Sequence, residues 1–350
     1  MMLEEEFMTK SRANPIKKSS ANRLVLIDGH AILHRAYHAL PPLTIRSGEL
    51  VNAVYGFTTM LLKVISDLKP KYLAVAFDTE KPTFRQAEYI GYQAQRPKME
   101  EELKGQIEKV YEVLAAMGIP IFEKEGFEAD DVIGTLARQA CRTEKRGKKK
   151  TRKNAEKIEV VIVTGDRDMM QLIGPRVRVY APIKGLSEAQ FFDEEKVQRE
   201  IGVRPGQIVD FKGLTGDPSD NYPGVPGIGP KTARELLEKF KTLEKIYKSL
   251  DEAGRFFNPS VVGKLAQGKE SAQLSKKLAT IICDVPIKLD LKKCEFEFSE
   301  EEREKAIKKF KELGFKSLVE RLATPASAKA SAGRQKTQKK RQGEGQLKLV

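Results

Sequence analysis

Arg23-Leu-Val-Leu-Ile-Asp28 is a short apolar run that closes on an acid, and the pattern returns at Tyr72-Leu-Ala-Val-Ala-Phe-Asp78 and at Val160-Val-Ile-Val-Thr-Gly-Asp166. Runs this short and apolar throughout suit strands buried on both faces of a parallel sheet. Between them lie stretches of helical period, at Asn52 to Leu68, Lys98 to Met117 and Glu128 to Arg142. Strand and helix alternate, so residues 23–203 read as an α/β core, a mainly parallel sheet flanked by helices. Beyond Val203 no further long strand run is clear, and a helical region with Gly-Pro punctuation continues to about residue 323. Residues 1–22 and 324–350 are polar and low in aromatics, the composition of disordered arms.

A chain of 350 residues with 40% hydrophobic content supports a packed core of one large or two modest domains. No secretory leader and no membrane-length apolar run is visible, so a soluble, cytoplasmic, monomeric protein is expected. Cys141, Cys283 and Cys294 are far apart and form no C-x-x-C pair, which argues against a disulfide framework or a thiolate zinc site. The net charge of +14 suggests a polyanionic partner. That charge is concentrated, with nine Lys/Arg against two Glu in the insert 142–157 and seven against one in residues 326–350. The rest of the chain is nearly neutral, so any grip on nucleic acid there depends on local patterning. The two basic runs are either phosphate-binding arms or plain solvated segments.

Ligands of open parallel sheets bind beyond the carboxyl ends of the strands, where Asp28, Asp78 and Asp166 converge. Further acids come in tight clusters: Glu128-Ala-Asp130-Asp131, Asp166-Arg-Asp168 and Asp217-Pro-Ser-Asp220. Each alone could be a helix N-cap or a surface charge. Together, nine carboxylates without Cys or His among them call for neutralising hard cations, Mg²⁺ with Mn²⁺ as a substitute. The economical account is two ions about 4 Å apart, which activate a water and stabilise the leaving oxygen of a phosphodiester.

These motifs resemble those of the 5′-3′ exonuclease domain of bacterial DNA polymerase I and its flap-endonuclease relatives. The resemblance runs from about Arg23 to Leu322, through Ile27-Asp-Gly-His30, Ala53-Val-Tyr-Gly-Phe57, Phe84-Arg85, Glu128-Ala-Asp-Asp131, Thr164-Gly-Asp-Arg-Asp168 and Leu214-Thr-Gly-Asp-Pro-Ser-Asp-Asn221. It implies a PIN-like 5′ nuclease core and a structure-specific nuclease acting on DNA with 5′ ends, flaps or junctions, in primer removal and repair, with RNA primers as a further substrate. It also implies that Asp28, Asp78, Glu128, Asp130 and Asp131 surround one ion with Asp166 near it, while Asp168, Asp217 and Asp220 lean towards a second. All nine family acids have a match here, which implies an active enzyme.

Lys81-Pro-Thr-Phe-Arg85, then Tyr89, Tyr92 and Arg96, mixes cations that hold phosphates with rings that stack unpaired bases. In the family this segment, about residues 80–105, belongs to an arch beside the 5′ strand, and Arg85 is carried over as a catalytic and DNA-binding residue. Gln93 stands where close relatives carry Lys; a neutral amide hydrogen-bonds phosphate but does not offset its developing charge. Gly224-Val-Pro-Gly227-Ile-Gly229-Pro-Lys231-Thr232-Ala resembles a helix-hairpin-helix, whose tight turn and helix start offer backbone donors to duplex phosphates. In relatives that hairpin also binds K⁺ through main-chain carbonyls.

His30, His34 and His38 would share one helix face, and packing or hydrogen bonding is the expected role rather than a zinc site. Tyr37 is a candidate for stacking on a base near the metals, or a core tyrosine. Gln346-Leu347-Lys-Leu349-Val350 resembles the short peptide by which bacterial partners dock on the sliding clamp, with Val in place of the terminal Phe. Such a tail suits a standalone nuclease better than a piece of a polymerase, and no polymerase region is evident. Two alternatives stand beside the nuclease: a branched-DNA binder whose acids hold only structural metal, and a related metal-dependent ribonuclease, against which the Gly224 to Lys231 string argues.

Overall fold

The computed structural model describes residues 22–142, 157–184 and 188–323. The expected N-terminal arm up to residue 21, the bulk of the basic insert, and the tail with Gln346, Leu347, Leu349 and Val350 lie outside the described residues.

The three acid-terminated runs are strands β1 (Asn22–Asp28), β2 (Tyr72–Ala76) and β4 (Ile158–Val163), with the two-residue β3 (Ile121–Phe122) beside β2. Two strands that the sequence reading did not separate, β5 (Val177–Lys184) and β6 (Glu188–Phe192), extend the other side. The order is β3-β2-β1-β4-β5-β6, parallel throughout except β6, which pairs antiparallel with β5 at the edge. From β1 the chain builds outward through β2 and β3, then returns to place β4 on the opposite flank of β1. That reversal makes the carboxyl ends of β1 and β4 a topological switch point, the usual site for a ligand crevice. Register brings the acids there together: Ile27 aligns with both Val75 and Val163, so Asp28, Asp78 and Asp166 emerge from one edge.

Helices cover both faces. On one lie α1 (Gly29–Ala39), α2 (Asn52–Leu68) and α4 (Glu101–Ala116), with the five-residue α3 (Phe84–Glu88) in the connection between β2 and α4. On the other lies α5 (Ala129–Arg142), whose Val132, Ile133 and Leu136 bury against Leu24, Val160 and Ile162. The C-terminal half is helical, from α6 (Glu194–Ile201) and α7 (Ile208–Thr215) through α8 (Pro230–Phe240), α9 (Leu243–Lys248), α10 (Leu250–Ala253), α11 (Pro259–Gln267) and α12 (Lys269–Ala279). Its Leu214, Val225, Ile228 and Leu236 join the same apolar cluster as α5 and the sheet, so the helical half shares the core of the sheet. The last helices, α13 (Glu300–Glu312) and α14 (Lys316–Ala323), cross to the opposite face, where Phe310, Phe315 and Leu318 pack with Phe57 and Val110. One glycine is fixed by contact: a Cβ on Gly29 would sit 2.4 Å from the Phe77 ring, so only glycine lets β1 turn into α1 directly after Asp28.

Candidate metal centre and nucleic-acid interface

Asp28 ends β1 and caps α1, its Oδ1 accepting from the Ala31 N–H at 3.0 Å, while the Thr164 hydroxyl donates to Oδ2 at 2.8 Å. Burial, with the nearby Asp78 and Asp166 charges, pushes its carboxyl up to about 6. Asp78 accepts from the Ala129 N–H at the start of α5 at 2.7 Å, and His30 Nδ1 lies 3.1 Å from its Oδ2. Asp166 accepts from the Asp168 N–H at 2.8 Å. Among the described residues the Asp130 carboxylate has no hydrogen-bond donor and no ion-pair partner. Burial first, then the Asp166, Asp28, Asp78 and Glu128 charges, raise it well above the ordinary range. Four carboxylates thus meet at the sheet edge with neither Lys nor Arg bonded to them.

A second group lies beside them. One oxygen each of Asp168, Asp217 and Asp220 falls within 4.8 Å of the others. Here cations are in contact: Lys212 from α7 pairs with Asp168 and, at 2.5 Å, with Asp217, and Arg96 pairs with Asp220 at 2.6 Å. Burial outweighs Lys212 at Asp168, whose carboxyl rises to about 6. Asp217 is also penalised by burial, but Lys212 and the Ser219 N–H and hydroxyl hold it below the usual range.

The remaining two expected metal ligands behave differently. Asp131 is wholly buried and both its oxygens are engaged, by Arg85 Nη1 and Nη2 at 2.7 and 2.8 Å and by the backbone N–H groups of Ile282 and Glu128 at 2.7 and 3.1 Å. With four donors on it, Asp131 stands as a strut under the site, its oxygens already engaged where the sequence reading places it at the first ion. Arg85 is engaged with it. The guanidinium is 2% exposed and also donates to the carbonyls of Leu278 and Thr280, so it ties α3 to the end of α12 at the cavity lining. Glu128 takes intermediate ground, receiving the Thr83 and Tyr92 hydroxyls at 3.2 Å each, and burial pushes its carboxyl up to about 7.

A cavity of about 880 Å³ opens over both groups, lined by Asp28, Asp78, Asp130, Asp166, Asp168 and Asp220 on its floor and by Lys81, Gln93 and Arg96 on its wall. The other side chains expected at DNA are distributed unevenly. Lys81 is 64% exposed at the rim, paired with Glu125. Tyr92 is only 5% exposed with its hydroxyl on Glu128, so it is a packed ring and not a stacking platform. Gln93 holds Asp220 twice, through its backbone N–H to the Asp220 carbonyl at 2.9 Å and its side-chain amide to Oδ1 at 3.2 Å. Tyr37 donates its hydroxyl to Glu100 near the start of α4. The three histidines stack along α1 with ring centroids 6.5 and 6.4 Å apart; His30 packs edge-on to Phe77 and accepts from the Asp78 N–H.

Farther along, the Gly224 to Lys231 string forms a turn anchored by buried Val225 and Ile228, with Gly227, Gly229 and Lys231 exposed. Gly224 has φ +63°, and a Cβ there would lie 2.1 Å from the Gly216 amide nitrogen, so the two glycine turns interlock. Gly229 caps α8 without a side-chain acceptor and Pro230 takes the first turn. The amides of Lys231 and Thr232 are therefore left as oriented donors at an exposed helix start.

Profiles of two consecutive domains match the chain, that of the 5′-3′ exonuclease N-terminal resolvase-like domain over residues 23–202 and that of the 5′-3′ exonuclease C-terminal SAM fold over residues 203–302. The chain belongs to the 5′-3′ exonuclease family. It is 43% identical over 305 residues to DNA polymerase I of Bacillus caldotenax, and 42% over 300 residues to that of Bacillus subtilis. These alignments cover 87% and 86% of this chain, which spans about a third of the relatives' length (33% and 32%). Among solved structures, the T5 D15 flap endonuclease in a pseudo-enzyme-product complex with DNA and metal ions superposes with a TM-score of 0.57 at 18% identity, over 74% of this chain and 89% of that one. The catalytic core of Rad2 in complex with DNA substrate gives 0.52 at 17% identity, over 84% and 87%. These likenesses establish the PIN-like 5′ nuclease fold with its helical C-terminal region.

The donor set of this exonuclease-family chain fits divalent metal. All candidate ligands are carboxylate oxygens, one group has no cation bonded to it, and Asp130 is left without any donor; hard oxygen-seeking ions answer that deficit. Lys212, Thr164 and Ser219 were not picked out from the sequence. Lys212 alone carried a signal, as the one cation in Ile208-Val-Asp-Phe-Lys-Gly-Leu-Thr215, just before Asp217.

Proposed function

We propose that the chain is a metal-dependent, structure-specific 5′ nuclease, a 5′-3′ exonuclease and 5′-flap endonuclease that hydrolyses DNA phosphodiesters. The observation that carries this reading is the convergence of Asp28, Asp78, Asp130 and Asp166 at the switch point of the sheet with neither Lys nor Arg bonded to any of them. On this reading those four, with Glu128 at the margin, hold one Mg²⁺, and Asp168, Asp217 and Asp220 hold a second, Mn²⁺ being able to substitute. The chemistry supplied by bound divalent ions is a more acidic attacking water and counter-charge for the leaving oxygen.

The protein's own part is positioning. Thr164 and the Ala31 N–H fix both oxygens of Asp28; the Ala129 N–H fixes Asp78; the Arg85–Asp131 pair fixes the start of α5, and with it Glu128 and Asp130. Lys81 and Arg96 at the cavity wall are the cations for the scissile strand. The open amides of Lys231 and Thr232, with Gly227 and Gly229, are placed to take duplex phosphates without reading sequence, and the hairpin carbonyls to take K⁺. We assign residues 23–203 to the nuclease core, with its arch at about 80–105, and residues 204–323 to duplex binding. Primer removal and repair, including RNA primers, follow from the family. Docking of the tail on a sliding clamp belongs to the same reading, and a tail peptide that fails to bind clamp in fluorescence polarisation removes it. Among the described residues no helix is long and apolar enough to cross a membrane.

The test is cleavage of an end-labelled 5′-flap duplex with and without Mg²⁺. Cutting near the junction that disappears in Asp166→Asn supports the nuclease. Binding without cutting in either Mg²⁺ or Mn²⁺ would favour a branched-DNA binder instead.

A further inference from the structure

The two carboxylate groups differ in what already neutralises them. The side chain of Lys212 rises from α7 with only 17% of its surface exposed and pairs with Asp168 and Asp217 at once, two acids 49 positions apart in the chain. The three carboxylates here offer oxygens within 4.8 Å of one another, a space that suits one small cation. The ammonium already uses an oxygen of two of the three. A divalent ion coordinated by these carboxylates needs the same oxygens, and a unit positive charge a few ångströms away would repel it. At the sheet edge, by contrast, Asp28, Asp78 and Asp166 accept from backbone N–H groups or the Thr164 hydroxyl, with His30 Nδ1 3.1 Å from Asp78, and Asp130 accepts from nothing among the described residues.

We propose that the Lys212 ammonium is the resident counter-ion of Asp168 and Asp217, beside the Arg96–Asp220 pair, and that a divalent cation enters this second group only in exchange for it. The proposal rests on the metal-dependent reading above and adds an order to it. The sheet-edge acids bind metal without displacing a Lys or Arg; the second group binds more weakly because an ammonium pair must open first. Lys212 also keeps mutually repelling carboxylates gathered before any metal arrives, so the site is assembled in advance.

The experiment is Mn²⁺ binding to the full chain, with free Mn²⁺ followed by electron paramagnetic resonance, for the wild type, Lys212→Met and Lys212→Arg. The wild type is expected to show one tight and one weak class. In Lys212→Met the weak class tightens by about tenfold or more while the tight class stays put, and in Lys212→Arg it remains weak. A weak class unchanged or weakened in Lys212→Met, with the tight class intact, overturns the proposal. A second readout needs no folded Met variant: reductive ¹³C-methylation of the wild-type lysines, with the Lys212 signal assigned by its loss in Lys212→Arg. That signal should move with the weak binding step when Mg²⁺ is added, and a signal that stays fixed through Mg²⁺ saturation overturns the exchange. No bound Mn²⁺ in the wild type would instead bring down the metal-dependent reading itself.

Discussion

The acids at the sheet edge and the acids of the second group are only a few residues apart at Asp166 and Asp168, yet the fold treats them in opposite ways. Asp28, Asp78 and Asp166 are held by backbone amides, a hydroxyl and, at Asp78, the His30 ring, while Asp130 has no donor among the described residues. Asp168, Asp217 and Asp220 are met by Lys212 and Arg96. The difference follows from where the side chains originate. The first four come from strand ends and the α5 start, where parallel β-strands and a helix N-terminus present N–H groups. The last two lie in a loop closed by α7 and faced by the arch, and those elements bring lysine and arginine. Burial and neighbouring carboxylates raise Asp28 and Asp130, whereas His30 and the Ala129 N–H hold Asp78 below the usual range despite burial, so a bound cation is linked to stability chiefly through Asp28 and Asp130.

Asp130→Asn tests that contrast most severely. Removing the carboxylate without a donor should lower flap cleavage by about 10³-fold. The same change removes a charge that the metal-free fold disfavours, so thermal or urea unfolding without metal should show a gain in stability. Loss of cleavage together with loss of metal-free stability would mean that Asp130 has a stabilising partner and that the contrast is misdrawn.

Next in size is the buried Arg85–Asp131 pair. Arg85→Ala strands a carboxylate that is wholly enclosed, and breaking such a pair costs about 3–5 kcal/mol. Urea unfolding reads the loss directly. Were Arg85 instead chiefly a phosphate ligand, its removal would leave stability nearly unchanged and weaken DNA binding alone.

Much of the sheet edge was legible because its logic is local. Asp28, Asp78 and Asp166 each follow an apolar run, the α2 boundaries at Asn52 and Leu68 coincide with those read from helical period, and the acid clusters are visible as text. The parts that were not legible depend on contacts between distant positions. Arg85 meets Asp131 across 46 residues, and burial of Tyr92 depends on Glu128 at a distance of 36. A ring and a guanidinium near an acidic cluster look alike on paper whether they face DNA or each other. Strands β5 and β6 escaped because an edge hairpin such as Glu-Ala-Gln-Phe-Phe is half polar, and its strand character comes from pairing with Val179 and Tyr180. The return of α13 and α14 to the far face likewise has no sequence-local sign.

Asp217→Asn is the complement of Asp130→Asn and a smaller effect. Here the charge is favoured in the metal-free fold, since Lys212 and Ser219 hold the carboxyl below its usual range despite burial. Neutralising it should lower stability without metal, the opposite sign to Asp130→Asn. Parallel unfolding curves for the two variants in a chelator decide the matter; equal signs would erase the distinction between the groups.

The smallest expected effect concerns Gln93, which faces the second group from the arch. Its φ of +55° and its two hydrogen bonds to Asp220 fix the side chain over that acid. Lysine at this position keeps the backbone N–H bond to the Asp220 carbonyl and exchanges a neutral donor for a charged one on the cavity wall. Two consequences pull apart. Paired with Asp220, the ammonium would add to the neutralisation already given by Arg96 and weaken metal binding there. Turned to the cavity, it would offset charge on the phosphate. Because Arg96 already occupies the same Asp220 oxygen at 2.6 Å, the second placement is favoured, and Gln93→Lys should raise single-turnover flap cleavage by roughly 2–5-fold with metal affinity unchanged. A fall in Mn²⁺ affinity without a gain in rate would show instead that the arch acts on the second group through its acids, and that Gln93 spares Asp220 a further counter-ion.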